Sequence, residues 1–266
     1  MLARPQPRPG KPQRIEYQTV KRSPSTPPAA AAALPLCQLH QMDALDLVRS
    51  LPAASVDMLL TDPPYSSGGL HLAQRTRSTS KKYLNSYSQG LYKDFGGECM
   101  DQRSWTFWCL SWLSAAHRAI KPGGLVVSFI DWRQLPALTD AVQIAGFTWR
   151  GIAVWDKTPG RTRPRKGGMA QQAEFIVWAS KGDVGSAPAY LPGVFPVRLG
   201  EKKHLTEKPI EIARELVRLV PAGGVVCDPF AGSGTFLVAA KEAGLRWIGS
   251  ELNDHYHALA SERLSA

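Results

Sequence analysis

Two apolar runs in this 266-residue chain end on an aspartate followed by proline, and they lie far apart in sequence. The first is Val56 to Thr61, then Asp62-Pro63-Pro64-Tyr65. It is β-branched at both ends and stopped by prolines that cannot continue a ladder, which predicts a buried strand. Asp62 then stands at the strand's carboxyl end, the edge where open α/β sheets bind ligands. The prolines stiffen the backbone and leave their carbonyls as fixed acceptors, and Tyr65 adds a flat aromatic face. Such a set suits a planar group with an exocyclic amine. The amine donates to the Asp62 carboxylate and the Pro63 carbonyl, and the ring stacks on Tyr65. A proline-rich turn with a capping aspartate fits the same four residues.

The second run is Val225-Val226-Cys227-Asp228-Pro229-Phe230-Ala231-Gly232-Ser233-Gly234-Thr235. It predicts a strand, a glycine turn and a helix of small and apolar residues. Gly232 and Gly234 allow close backbone approach to a ligand, and the helix N-terminus favours negative or polar groups. Leu237 stands where a dinucleotide fingerprint needs its third glycine, and no lysine follows the turn as in a phosphate-cradling loop. Seventeen positions after Gly234, Glu251 closes the apolar strand Arg246 to Ser250. An acid there accepts hydrogen bonds from ribose hydroxyls. The pair of motifs reads as a nucleoside pocket beside an amine-holding pocket.

Together the two motifs resemble those of the S-adenosylmethionine-dependent DNA amino-methyltransferases. Their order, catalytic motif before cofactor motif, is similar to the β group, a circular permutation of the usual layout. The resemblance covers about Leu36 to Leu264. It implies a Rossmann-like α/β fold, a mostly parallel seven-stranded sheet with one antiparallel strand and helices on both faces. The alternation of predicted strands and helices agrees with that class. The resemblance also implies contacts to the cofactor's adenine near Asp43, which as a helix N-cap has a second role open to it. His204-Leu205-Thr206-Glu207-Lys208-Pro209 is similar to the family segment lining the methionine end of the cofactor. Thr206 is then an N-cap and Lys208 a partner for the cofactor carboxylate.

Charge points the same way. The formal net charge is +10, and six basic residues against one acid in Met1 to Ala33 supply half of it. An acidic partner follows, nucleic acid first. Residues 1–33 read as a disordered, Pro-rich basic tail, and 34–266 as the catalytic domain. DNA-contacting insertions are expected near 66–102, 156–170 and 180–203. The first carries Arg75, Arg77, Lys81 and Lys82 among tyrosines, the pattern of a lid that orders on DNA. The second carries Lys157, Arg161, Arg163, Arg165 and Lys166 in a Gly- and Pro-rich loop suited to phosphate contacts. Solvated loop charges are the competing account of both. The third is short for a target-recognition region, which leaves the recognition sequence open.

The four cysteines show no metal-ligand spacing, so no metal site and a reduced cytoplasmic setting are expected, in a bacterium or phage. No apolar run approaches membrane-spanning length. The expected activity is direct methyl transfer to an amine of a flipped base in double-stranded DNA. In the family, Asp at the first motif position leans toward adenine N6, and Ser there toward cytosine N4. A DNA-binding protein without catalysis, and methylation of RNA, are the alternatives. A homodimer and a cognate restriction endonuclease are partners the resemblance leaves open.

Overall fold

The computed structural model describes residues 35–66, 100–159, 167–185, 188–198 and 208–266. The expected basic tail, most of the first insertion, and Arg161, Arg163, Arg165, Lys166 and Thr206 lie outside the described residues.

The strand ending at Asp62 forms as the pattern predicts, Val56–Thr61 (β2), with Met58, Leu59, Leu60 and Thr61 essentially inaccessible. It lies between two parallel neighbours, Ile120–Ile130 (β3) and Val225–Asp228 (β7). Around them one sheet runs in the order β1-β8-β7-β2-β3-β5-β4-β6. The other strands are Gln38–His40 (β1), Thr148–Asp156 (β4), Ala173–Ser180 (β5), Val194–Pro196 (β6) and Arg246–Ser250 (β8). β5 runs antiparallel to both β3 and β4, and the remaining pairings are parallel.

Successive residues of the central strands point to opposite faces, and both faces are apolar, as a buried parallel sheet requires. Leu59, Val126 and Cys227 pack on one side against Ala44–Ser50 (α1), Gln102–Ala119 (α2) and Leu135–Ile144 (α3). Met58, Leu60, Val127 and Val226 pack on the other against Ile210–Val217 (α4) and Thr235–Glu242 (α5), with Leu264 of Asp254–Ser265 (α6) beside them. The helical spacing of Trp105, Trp108, Cys109, Trp112, Leu113 and Ala116 predicts a core stripe, and α2 buries all of them except Trp108, which is half-buried.

Three expectations are corrected. The sheet has eight strands among the described residues, not seven, because Val194–Pro196 leaves the irregular 180–203 stretch to pair with Val154–Asp156. Lys121-Pro122-Gly123-Gly124 reads in the sequence as a helix stop before a strand from Leu125 to Ile130, but it lies inside β3. The pairing with β2 steps from Val56–Ile120 to Met58–Leu125, so Pro122 falls where no neighbouring strand is in register, and Gly124 is needed because a Cβ there would meet the Asp57 carbonyl at 2.9 Å. The helix expected to start at Thr206 starts at Ile210, with Pro209 in the capping position and no side-chain cap.

Candidate active site

Parallel pairing brings the carboxyl ends of β1, β8, β7, β2, β3 and β4 to one edge of the sheet. β5 runs the other way, so it delivers its first residues there instead: Phe175 pairs with Ile130 at the end of β3. Residues from 40 to 251 thus meet along one edge through backbone geometry alone.

The amine-holding motif is fixed from behind. Trp105, fully buried on α2, donates its indole N–H to the Pro64 carbonyl at 2.7 Å. Gln134 donates to the Tyr65 carbonyl at 3.0 Å. The expectation that both proline carbonyls stay free is therefore corrected: Pro64 is taken, and Pro63 is left without a donor among the described residues.

The Asp62 carboxylate is engaged on both oxygens. Tyr65 Oη contacts Oδ1, and the Lys208 ammonium contacts Oδ2. Glu174, at the start of β5, faces the same two donors, with its Oε1 2.9 Å from Tyr65 Oη and 3.1 Å from Lys208 Nζ. Its other oxygen takes the Lys157 ammonium at 2.7 Å. Lys157 also lies 4.9 Å from the centre of the Trp155 ring. Two acids and two cations balance, and the cluster is nearly closed to water: the Lys208 side chain is 5% exposed.

Burial sets how these groups titrate. It raises the Asp62 pKa, Lys208 opposes the rise, and the Glu174 charge adds to it. Burial would raise Glu174 too, but Lys208 and Lys157 outweigh it and hold that carboxyl well below its usual range. Burial works against the charge of Lys208, and the two acids more than compensate and keep it protonated. Burial and both acids push the Tyr65 phenol far up.

The second motif wraps the end of β7. Asp228 is fully buried and accepts the Thr61 hydroxyl at 2.8 Å and the Phe230 N–H at 3.1 Å. Its Oδ2 has no partner among the described residues, and burial raises its pKa to about 8. Pro229 accepts the Ser250 hydroxyl at 2.9 Å, and Ala231 donates to the Ser250 carbonyl at 2.9 Å. Phe230 packs on Trp108 and Trp112 with ring centres 5.3 and 5.5 Å away. Gly232 and Gly234 take φ of 53° and 80°, the left-handed region that glycine enters without a Cβ penalty. Gly234 caps α5, whose first residue is Thr235, and Arg263 of α6 donates to the Ser233 carbonyl at 2.7 Å and its hydroxyl at 3.0 Å.

Glu251 accepts the Gly232 N–H and the Asn253 N–H, each at 2.8 Å and each on a different oxygen. The Leu252 N–H adds to these two, and the carboxylate keeps acceptor capacity for a ligand hydroxyl. Asp43 caps α1 by accepting the Leu45 N–H at 2.8 Å and is exposed at the same edge, beyond β1.

The sequence reading places Lys208 on a cofactor carboxylate and Lys157 on DNA. The structure seats both inside the acid cluster. Glu174 escapes that reading. Its signal was an acid opening an otherwise apolar strand, since a charge in such a place has to be paired. Trp105, Gln134 and Thr61 are supports that no motif marks.

A DNA methylase family model, that of the N6/N4 methyltransferases, matches residues 56–192 and 193–262. YubD of Escherichia coli (strain K12), which carries a provisional methylase name, is 30% identical over 228 residues, covering 85% of this chain and 89% of its own. The chain belongs to the N6/N4 DNA methyltransferase family, whose methyl donor is S-adenosyl-L-methionine. Its fold matches that of the M1.HpyAVI–S-adenosylmethionine complex, with TM-score 0.63 and 22% identity over 86% of this chain and 99% of that one. It also matches the PvuII DNA methyltransferase, cytosine-N4-specific, with TM-score 0.63 and 19% identity over 85% of each chain. Among the described residues no helix is long and apolar enough to cross a membrane.

Proposed function

We propose that this chain methylates the N6 amine of adenine in double-stranded DNA, with Asp62 and the Pro63 carbonyl as acceptors for the target amine. The observation that carries this reading is the Asp-Pro-Pro-Tyr turn held rigidly at the end of β2, beside the Asp228–Thr235 turn on the adjacent strand.

The residues of the second turn fit the methyl donor. The orphaned Oδ2 of Asp228 is a buried acceptor for its ammonium, and the Glu251 carboxylate is an acceptor for ribose hydroxyls. Asp43 lies at the neighbouring strand end for the adenine, and Gly232 and Gly234 leave room for close approach. When bound, S-adenosyl-L-methionine supplies a methyl carbon on a cationic sulfur, open to in-line attack by a nitrogen lone pair.

The target amine is paired inside the duplex, so the base has to leave the stack to reach Asp62. Asp62 and Pro63 then accept its two hydrogens and draw the nitrogen toward tetrahedral geometry, which localises the lone pair. The nitrogen becomes cationic as its bond to carbon forms. Asp62 faces that charge and takes the surplus proton after transfer, for release to water. An aromatic amine is too weak an acid to lose its proton first. Positioning and electrostatics therefore supply most of the rate.

Cytosine N4 is the second reading, favoured by the likeness to the cytosine-specific PvuII fold. The test is transfer of labelled methyl from S-adenosyl-L-methionine to unmethylated bacterial DNA, followed by nucleoside analysis. N6-methyladenine supports the proposal. N4-methylcytosine keeps the mechanism and replaces the base. Transfer to RNA alone, or none despite bound cofactor, overturns it.

A further inference from the structure

In the structure Asp62 is not waiting for an amine. Its two oxygens hold the Tyr65 hydroxyl and the Lys208 ammonium. A fixed cation against Asp62 opposes the reaction, because the target nitrogen itself turns cationic there. Lys208 cannot withdraw to water, since its side chain is 5% exposed and its ammonium lies between the Tyr65 and Phe129 rings, 5.4 and 5.5 Å from their centres. It needs a second buried acceptor of the same charge.

Glu174 is that acceptor. Its Oε1 already lies 3.1 Å from Lys208 Nζ and 2.9 Å from Tyr65 Oη, so both donors on Asp62 have a second seat within hydrogen-bond reach. Lys157 holds the far oxygen at 2.7 Å and keeps the carboxylate aimed inward. Moving the ammonium from Asp62 toward Glu174 changes no net charge and exposes no buried ion. We infer that Glu174 is a positioning residue for methyl transfer, receiving Lys208 and the Tyr65 hydroxyl so that Asp62 is freed for the target amine. This rests on the reading of Asp62 as the amine acceptor.

The test compares Glu174→Gln and Glu174→Asp with the native protein in DNA methyl transfer. Cofactor affinity is read by calorimetry and kcat across pH. Gln removes the charge, leaves Lys208 with Asp62 as its anionic partner among the described residues, and lowers kcat roughly 10- to 100-fold with cofactor affinity unchanged. The groups facing Asp62 are Tyr65, Lys208 and Glu174, with Lys157 behind Glu174 and Asp228 on the next strand. Of these, Glu174 loses its charge in the Gln variant, so the acid limb of the kcat profile shifts to lower pH. A merely structural role does not lower kcat while leaving cofactor affinity unchanged. Asp keeps the charge and recovers most of the rate.

A native kcat and unmoved limb in Glu174→Gln overturn the inference. So does a rate loss in Glu174→Asp as large as in Glu174→Gln, or cofactor affinity falling in step with rate. If Glu174→Gln fails to fold, a Glu174→Asp rate within about tenfold of native sustains the inference and a lower one overturns it. Asp62→Ala run alongside separates the two claims: transfer that survives it removes the reading of Asp62, whereas its loss together with a native Glu174→Gln removes only the role of Glu174.

Discussion

Thr61 Oγ1 donates to Asp228 Oδ1 at 2.8 Å, joining the last residue of β2 to the last residue of β7 across 167 positions of sequence. Both side chains are fully buried. One hydrogen bond thus locks the strand that presents Asp62 to the strand that presents the cofactor turn. On the proposed reading of Asp62 and of the Asp228 turn, this bond helps to set the distance between amine acceptor and methyl donor.

Thr61→Val tests that bolt, since valine keeps the shape and removes the donor. The buried Asp228 carboxyl is then left with the Phe230 N–H. A loss of about 1–3 kcal/mol of unfolding free energy is expected, in the range of a buried polar group deprived of its partner. Urea unfolding measures it. A loss below a few tenths of a kcal/mol removes the bolt's energetic importance.

Asp228 also makes stability depend on pH. Its folded pKa is about 8 against an ordinary 3.8, raised chiefly by burial. A raised pKa means that the folded state holds the proton more tightly. Its contribution is fully present below the unfolded value and is lost as pH climbs toward about 8. Asp228→Asn does not titrate, so its stability relative to native should rise between about pH 4 and 8 and level off above. Thermal unfolding across that range measures the difference, and parallel curves refute the expectation.

The same residue predicts how the cofactor binds. Asn keeps an acceptor but has no charge to offer an ammonium, so Asp228→Asn should bind S-adenosyl-L-methionine at least tenfold more weakly, the size of a charge-assisted hydrogen bond. Native affinity should itself rise with pH through about 8, because the charged carboxylate is the better partner. Calorimetry in buffers of different ionisation enthalpy reads the linked proton, and pH-independent affinity counts against Asp228 as the ammonium's acceptor.

What the sequence made legible is what lies along single strands and turns. Asp62, Asp228 and Glu251 were visible because each closes an apolar run, and Gly232 because it opens the glycine turn behind one; strand ends are where a parallel sheet binds. The α2 stripe was visible because Trp105, Cys109, Trp112 and Ala116 follow helical spacing. Contacts across strands were not legible. Glu174 reaches the site only because β5 is reversed, which turns a strand's first residue into an edge residue. Lys208 reads as a cofactor contact through the family resemblance of its segment, and its two acids, 146 and 34 positions away, lie outside any local pattern. The short strand Val194–Pro196 has three residues and no periodicity to read.

Trp105 illustrates the same limit in a residue with two roles. Its ring fills the core between α2 and the sheet, while its indole N–H holds the Pro64 carbonyl at 2.7 Å. Trp105→Phe keeps most of the packing and deletes the donor. Stability should fall by about 1 kcal/mol for the hydrogen bond, with a further cavity contribution from the smaller ring. The rate should fall more than cofactor affinity, because the freed turn carries the Pro63 carbonyl and Tyr65. Equal losses in kcat and in cofactor affinity would point to general loosening instead.

Gly249 gives the sharpest steric test. It sits in the middle of β8 opposite Asp228, and an added Cβ would meet Leu237 Cδ1 at 2.5 Å and the Asp228 carbonyl at 2.8 Å. The leucine end can turn aside, but the carbonyl belongs to the backbone that begins the cofactor turn. Gly249→Ala must therefore push β8 away from β7 or shift Asp228 itself. Overpacking of this kind costs about 1–3 kcal/mol. Because the displaced atom is at the mouth of the cofactor turn, binding of S-adenosyl-L-methionine should weaken beyond what the stability loss explains. Comparing calorimetric affinity with that of Gly182→Ala controls for backbone change, since a Cβ at Gly182 meets nothing within 4 Å although its φ of 71° strains alanine. Equal affinities in the two variants would mean that the Asp228 carbonyl position does not govern cofactor binding.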